Sequence, residues 1–332
     1  MRKIINDPNN FVDEVVEGIL AAHPRMLKAV TSDRRALART DAPIAGHVGI
    51  VTGGGSGHLP LFLGYVGAGL CTAVAVGNVF SSPSSEQILA ATRAAHGGAG
   101  VLYLYGNYGG DVMNFDLAGE LALAEGIETA TVLGTDDVAS APPSRAAERR
   151  GVAGLFFAYK CAGAAAEQGR PLQDVAAIAQ AVVTNTRSMG VGLSPTILPA
   201  AGKPTFELGP DEMEIGIGIH GERGVRRGRL ETADRIAEDL LGKISDDLAL
   251  SSGDEVAVLV NGLGATPLEE LYVLYRYVHR SLDTMGVRVR RQYVGEFATS
   301  LEMAGASLSV MRLTPDLAPL LEAPALSPFY RQ

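Results

Sequence analysis

The sequence predicts an α/β protein made of two mixed α/β domains, the first with a largely parallel sheet flanked by helices. Three observations predict it. Short apolar runs of strand length alternate with stretches of helical spacing through the first half, as expected of parallel strands joined by crossover helices. Three of these strands run into glycine-rich or polar loops at residues 53–60, 77–85 and 106–111. A second series of strands and helices follows Ser188–Pro204, a stretch rich in Gly, Pro, Ser and Ala.

Taken in order, Val12, Val15, Val16, Ile19 and Leu20 lie on one face of a helix over Phe11–Ala22, which Pro24 stops. His47–Thr52 and Cys71–Val76 read as buried strands, Glu86–Ala95 as a helix, and Gly100–Tyr105 as a third strand. A helix then runs to about Ala124, followed by a strand over Thr129–Leu133 and two helices over Gly154–Gln168 and Leu172–Arg187. The second half reads as a strand over Glu212–Ile219, a charged helix over Leu230–Asp247 and an apolar strand over Glu255–Val260. A long helix over Pro267–Met285 and strands near Val287–Val294 and Ser307–Leu313 complete it. With the boundary at the Gly/Pro-rich stretch, the domains are expected at 1–187 and 188–332. The length of 332 residues fits two domains of roughly 150 each.

A hydrophobic fraction of 47% supports a substantial core and excludes a disordered or collagen-like chain. The net charge of −9 argues against a broad face for nucleic acid or anionic lipid. Cys71 and Cys161 form no CxxC pair, which excludes a disulfide framework and a thiolate zinc site. No apolar run reaches the ~18 residues of a membrane span, and the N-terminal MRKIINDPNN lacks the apolar stretch of a secretory signal. The expectation is a cytoplasmic chain that engages neither nucleic acid nor membrane.

The strongest local signal is Gly53-Gly54-Gly55-Ser56-Gly57-His58-Leu59-Pro60. Consecutive glycines after a strand let backbone N–H groups approach a ligand, and Ser56 and His58 add a hydroxyl and a titratable imidazole. A plain strand-to-helix turn needs glycines too. No Gly-Lys-Ser/Thr follows, so this is not a Walker A loop. Asp111, after Gly109-Gly110, reads either as a helix-terminus partner or as a general base. Ile215-Gly216-Ile217-Gly218-Ile219-His220-Gly221-Glu222 contains a literal GxGxxG, but no apolar helix follows, which weakens a dinucleotide site. His220 ends an alternating strand, and an isolated histidine there is more often structural than reactive. Residue types alone leave His58 and His220 open as metal ligands. No histidine pair stands at i, i+4 and no HExxH occurs, so no metal site is expected. Arg223, Arg226, Arg227 and Arg229 read as a solvated basic turn.

Together these segments resemble the dihydroxyacetone kinase K-subunit family over about residues 5–330. The resemblance is carried by Ile5-Asn6-Asp7-Pro8-Asn9-Asn10-Phe11-Val12, the triple-glycine loop, Phe206-Glu207-Leu208-Gly209 and Met213–Glu222. Val260-Asn261-Gly262-Leu263-Gly264-Ala265-Thr266-Pro267-Leu268 and Gly295–Gly305 add to it. The resemblance implies that His220 holds a short ketose as a covalent hemiaminal, that Asp111 is the base for the phosphate-accepting hydroxyl, and that His58 hydrogen-bonds the ligand. It also implies substrate contacts from Gly55, Ser56 and Gly57. A carbonyl is required for such an adduct, so an alcohol of similar size is refused. The family carries ATP or ADP with Mg²⁺ on a separate L subunit, so no cofactor is expected in this chain and an L-type partner is. Phosphate comes from ATP or from a phosphoenolpyruvate relay, and a homodimer is expected. The family pattern is broken at Leu59 (usually Glu), Gly106 (usually Lys), Gly109 (usually Thr) and Arg223 (usually Pro). These departures suggest a larger ketose such as a tetrulose. Two rivals remain at this stage: a non-catalytic ketose sensor and a nicotinamide-dependent oxidoreductase.

Overall fold

The computed structural model describes residues 3–332. Met1 and Arg2, which open the N-terminal stretch read above, lie outside the described residues. The chain divides into two compact units. The first takes the residues up to Leu133 with Phe156–Val182 and Asp316–Gln332, and the second takes Gly134–Leu155 with Val183–Pro315. Each carries a six-stranded sheet.

The first unit runs α1 (Phe11–Ala22), β1 (Leu27–Ala29), β2 (Ala36–Arg39), β3 (Gly49–Ser56), β4 (Ala73–Val79), α2 (Ser85–Ala95), β5 (Val101–Gly106), α3 (Gly109–Ala124), β6 (Thr129–Gly134), α4 (Leu155–Glu167) and α5 (Leu172–Thr184). The strand order is β1-β2-β4-β3-β5-β6. β3 pairs in parallel with β4 and β5, while β2 is antiparallel to both β1 and β4. The parallel centre matches expectation. β1 and β2 make the sheet mixed and are too short to announce themselves by periodicity. Ile50 and Val51 of β3 and all of β5 are buried, as in a strand covered on both faces. α2 starts on a capping box, in which Ser84 accepts the Gln87 N–H and the Gln87 side chain accepts the Ser84 N–H.

The second unit comprises β7 (Thr186–Gly192), β8 (Glu212–Ile215), β9 (Arg226–Arg229), α6 (Ala233–Leu248), β10 (Glu255–Gly262), α7 (Leu268–Thr284), β11 (Arg288–Gly295) and β12 (Gly305–Arg312). Its order is β11-β10-β12-β7-β8-β9. Only β10 and β11 pair in parallel. Ile236, Leu240, Leu241, Ile244 and Leu248 of α6 recur at helical spacing and join the core with Leu271, Val278 and Leu282 of α7. The chain closes in the first unit with α8 (Leu317–Glu322).

Three expectations change here. The partition differs from a single boundary at 187/188, because residues 134–155 lie in the second unit and 316–332 in the first. A change in composition marks a loop but does not say which core a helix joins. α4 joins the first unit because Tyr159 shares a hydroxyl hydrogen bond with Thr52 at 2.7 Å and Phe156 packs on Tyr65 at 5.5 Å. Second, residues 186–192, read as helix end and linker, form the inner strand β7. Ser188 and Gly190 stand where alternation would ask for apolar residues, and the Ser188 hydroxyl is satisfied by Ser309 at 2.6 Å. Third, the basic turn is the strand β9, paired to β8, with Arg227 on Glu214 at 2.6 Å and Arg226 on Glu231 at 2.9 Å. β8 stops at Ile215, short of Ile219, because Gly216 turns the chain at φ +80°.

Candidate active site

In the first unit, the parallel β3, β4 and β5 deliver their C-terminal ends to one sheet edge, where ligands sit in such folds. The Gly53–Ser56 run is still strand rather than loop. Its glycines are demanded by the protein's own packing. A Cβ on Gly54 would run into the Phe62 ring, and one on Gly55 would lie 2.7 Å from the Ser81 amide nitrogen. The Ser56 hydroxyl donates to the Gly77 carbonyl at 2.8 Å, which ties the end of β3 to the end of β4. Gly57 at φ +102° then turns the chain into His58. His58 is 2% exposed; its ring stacks on Phe80 at 4.9 Å and meets the edge of Phe62 at 6.1 Å.

The β5 loop joins the same edge. A Cβ on Gly110 would lie 2.7 Å from the Ser82 hydroxyl, and Asn114 donates to the Pro83 carbonyl at 2.7 Å. Asp111 sits in the first turn of α3 and is 7% exposed. Burial pushes the neighbouring Tyr105 phenol up, and the carboxylates of Asp116 and Asp111 add to that shift. A Cβ on Gly109, at the start of α3, would meet nothing within 4 Å. Gly55, Ser56, Gly57, His58 and Asp111 thus gather on one edge of the first unit.

His220 stands in the second unit, in the turn between β8 and β9, with its side chain 24% exposed. Glu222 grips it twice: the carboxylate accepts the His220 backbone N–H at 2.9 Å and faces Nδ1 at 2.9 Å. Burial pushes the Glu222 carboxyl up. The hydrogen bond and charge of His220, with the charge of Arg150, outweigh this and hold it at about 2. An ionised carboxylate only accepts, so Nδ1 carries a proton. In a neutral imidazole held this way, the other ring nitrogen is a nucleophile toward carbonyl carbon. Sequence reasoning missed Glu222 as a partner, although the His-Gly-Glu spacing held the signal. It also missed Arg150, which reaches Glu222 at 3.7 Å, and Asp137, which Arg150 binds at 2.8 Å. No local pattern marks either of these two.

The literal GxGxxG serves packing. Gly216 and Gly221 take φ of +80° and +86°, and a Cβ on Gly218 would run into Glu222 and Arg150. The strand β9 follows rather than a helix, so the context of a dinucleotide fingerprint is missing. Among the described residues, no cluster of three or more His, Cys, Asp or Glu side chains is placed to hold a metal ion. Among the same residues, no helix is long and apolar enough to cross a membrane.

Comparison with known proteins agrees with this layout. The Dak1 domain family model matches residues 17–329. The dihydroxyacetone-binding subunit of a PTS-dependent dihydroxyacetone kinase from Listeria innocua is 42% identical, over 100% of this chain and 99% of its own length. A D-erythrulose kinase from Mycolicibacterium smegmatis is 43% identical over 100% of this chain but only 57% of its own length. A solved structure of a dihydroxyacetone kinase operon co-activator superposes with a TM-score of 0.87 at 33% identity, over 94% of this chain and 96% of that one. From the sheet edge that carries Asp111, the turn that carries His220 and a family match along most of its length, it follows that this chain belongs to the Dak1 domain family.

Proposed function

We propose that this chain is the ketose-binding subunit of a dihydroxyacetone kinase, a phosphotransferase that works with a separate nucleotide-bearing L-type subunit. The observation that carries the reading is the Glu222 carboxylate on His220 Nδ1 at 2.9 Å. In this reading Nδ1 is the nitrogen that faces Glu222, and Nε2 is the one that attacks a ketone. In that step the Nε2–C bond forms, the carbonyl π bond breaks, its oxygen takes a proton from water and the ring gives up its Nδ1 proton in exchange, so that the hemiaminal is the sum of protein and ketose. The ring charge that builds on attack is met by Glu222, at the other nitrogen. Asp111 then acts as base for the hydroxyl that accepts phosphate, His58 hydrogen-bonds the ligand, and Gly55, Ser56 and Gly57 line it. The near full-length likeness to a free-standing dihydroxyacetone-binding subunit supports the division of labour.

The chain has no Walker A loop, which supports placing ATP or ADP with Mg²⁺ on the L-type partner. When bound there, the nucleotide supplies the phosphoryl group and the metal neutralises its charge. The reading includes a homodimer in a cytoplasmic setting, with Cys71 and Cys161 as free, buried thiols.

The test is intact-protein mass spectrometry after incubation with dihydroxyacetone. We expect a gain equal to the whole ketose, with no loss of water, and none in His220→Ala. An unshifted wild-type mass at saturating ketose would defeat the reading.

A second reading, a kinase subunit for a tetrulose, is favoured by the open space at Gly109 and the likeness to an erythrulose kinase. Adduct yield with erythrulose against dihydroxyacetone separates the two, and a clear preference for dihydroxyacetone removes the tetrulose.

A further inference from the structure

Four side chains in the second unit form a line from His220 to Asp137. His220 meets Glu222, Glu222 faces Arg150 Nη1 at 3.7 Å, and Arg150 donates to Asp137 Oδ2 from Nε at 3.0 Å and Nη2 at 2.8 Å. The far end is fixed. The Asp137 carboxylate also accepts the Ala139 N–H at 3.0 Å, the Arg150 N–H donates to Ser140 Oγ at 3.0 Å, and the Asp137 N–H donates to the Arg150 carbonyl at 3.1 Å. The Arg150 guanidinium is therefore held through side chain and backbone, in a mostly buried place. Gly218 keeps the space in which Arg150 and Glu222 meet, since any side chain there would strike both.

We propose that Arg150, held by Asp137, is a positioning residue for His220: its charge keeps Glu222 on Nδ1 and opposes a second proton on the ring, so that Nε2 stays nucleophilic. This rests on the reading of His220 as the ketose-attacking group. The charge count carries the argument. With neutral His220, the line of Asp137, Arg150 and Glu222 sums to −1. Without Arg150 it sums to −2, and that field draws a proton onto the ring and removes its lone pair. The separation of 3.7 Å is longer than a hydrogen bond, so Arg150 acts on Glu222 by charge and leaves its oxygens free for His220. The charged groups around the line are Glu222 on the histidine's own turn, and Arg150, Asp137 and Asp136 from the segment 134–155. Asp136 is occupied by the Val152 and Gly154 amides at 3.0 and 2.9 Å. Arg150 opposes the burial that pushes the Asp137 carboxyl up to about 6 and so favours its ionised form.

The test uses the full chain with ¹⁵N-labelled histidine, His220 being identified by its loss in His220→Ala. The wild type is expected to show Nδ1 protonated and Nε2 bare near neutral pH. Arg150→Gln is expected to raise the ring's protonation midpoint by about one pH unit and to slow adduct formation with dihydroxyacetone at pH 7 ~3-fold. Asp137→Asn leaves Arg150 uncompensated and is expected to move the midpoint down. Opposite shifts from neighbouring substitutions are not what a loss of folding produces, and Asp137→Asn decides the matter if Arg150→Gln fails to fold. Midpoints unchanged in both variants, or shifted the same way, overturn the proposal while the wild-type adduct leaves the ketose reading standing. A wild-type protein that forms no adduct overturns both.

Discussion

Asp247 receives two arginines in the second unit. Arg149 binds it through both Nη atoms, at 2.9 and 2.6 Å, and Arg187 adds its Nε. The Arg149 side chain is 1% exposed and that of Asp247 5%. The Arg149 hydrogen bonds, opposed by burial and helped by Arg187, hold the Asp247 carboxyl at about 2. Removing one partner of such a pair leaves a buried charge uncompensated, so Asp247→Asn is expected to cost about 3–5 kcal/mol in urea unfolding. The folded carboxyl titrates below its ordinary value of 3.8, so its stabilisation is complete above 3.8 and is lost as pH falls toward 2. Glu222 behaves likewise below 4.5. Acid unfolding of Asp247→Asn is expected to be less steep across that window. At Gly218 the consequence is chemical. Gly218→Ala is expected to push Glu222 off His220 and abolish the adduct while circular dichroism stays unchanged. Normal adduct formation in that variant would mean that Glu222 does not set the ring's proton.

Among the elements, β7 shows how a strand hides from periodicity. Thr-Arg-Ser-Met-Gly-Val-Gly has no clean alternation, yet it pairs with β12 on one side and β8 on the other. A buried hydroxyl pair, Ser188 with Ser309, replaces apolar contact at that register. Ser188→Ala is expected to cost about 1–3 kcal/mol because it orphans the Ser309 hydroxyl. The double variant Ser188→Ala/Ser309→Ala is expected to be less destabilised than the sum of the single ones. A denaturant double-mutant cycle measures this, and strict additivity would show that the two hydroxyls do not depend on each other. β3 is the opposite case. Its apolar run was legible, and so was its glycine tail. What the glycines pack against was not, because Phe62 and Phe80 reach them only through left-handed backbone at φ +66° and +56°.

At the scale of the whole molecule, the proposed function has this chain hold the ketose whose hydroxyl accepts phosphate, and an L-type partner bring the nucleotide. The purified chain with ATP and Mg²⁺ alone is therefore expected to give no ketose phosphate, and an added L-type subunit to restore turnover. Asp111→Ala is expected to keep the adduct and lose turnover by ~100-fold or more. Full turnover without Asp111 would remove it as the base. A wild-type adduct without turnover, whatever L-type subunit is added, would favour the sensor, a role that a fold shared with an operon co-activator leaves open.

The residues alone determined the α/β class, the positions of most strands and helices, the sheet edge that carries His58 and Asp111, and the family. These are local properties: apolar spacing, glycines at strand ends, and short motifs in order. Tertiary structure decided that α4 and α5 return to the first unit, that residues 186–192 form an inner strand, and that Arg150 reaches Glu222. Each of these depends on which distant segment fills a given space or neutralises a given charge. Spacing along one segment does not encode that, because burial and charge pairing are settled only when the whole core is assembled.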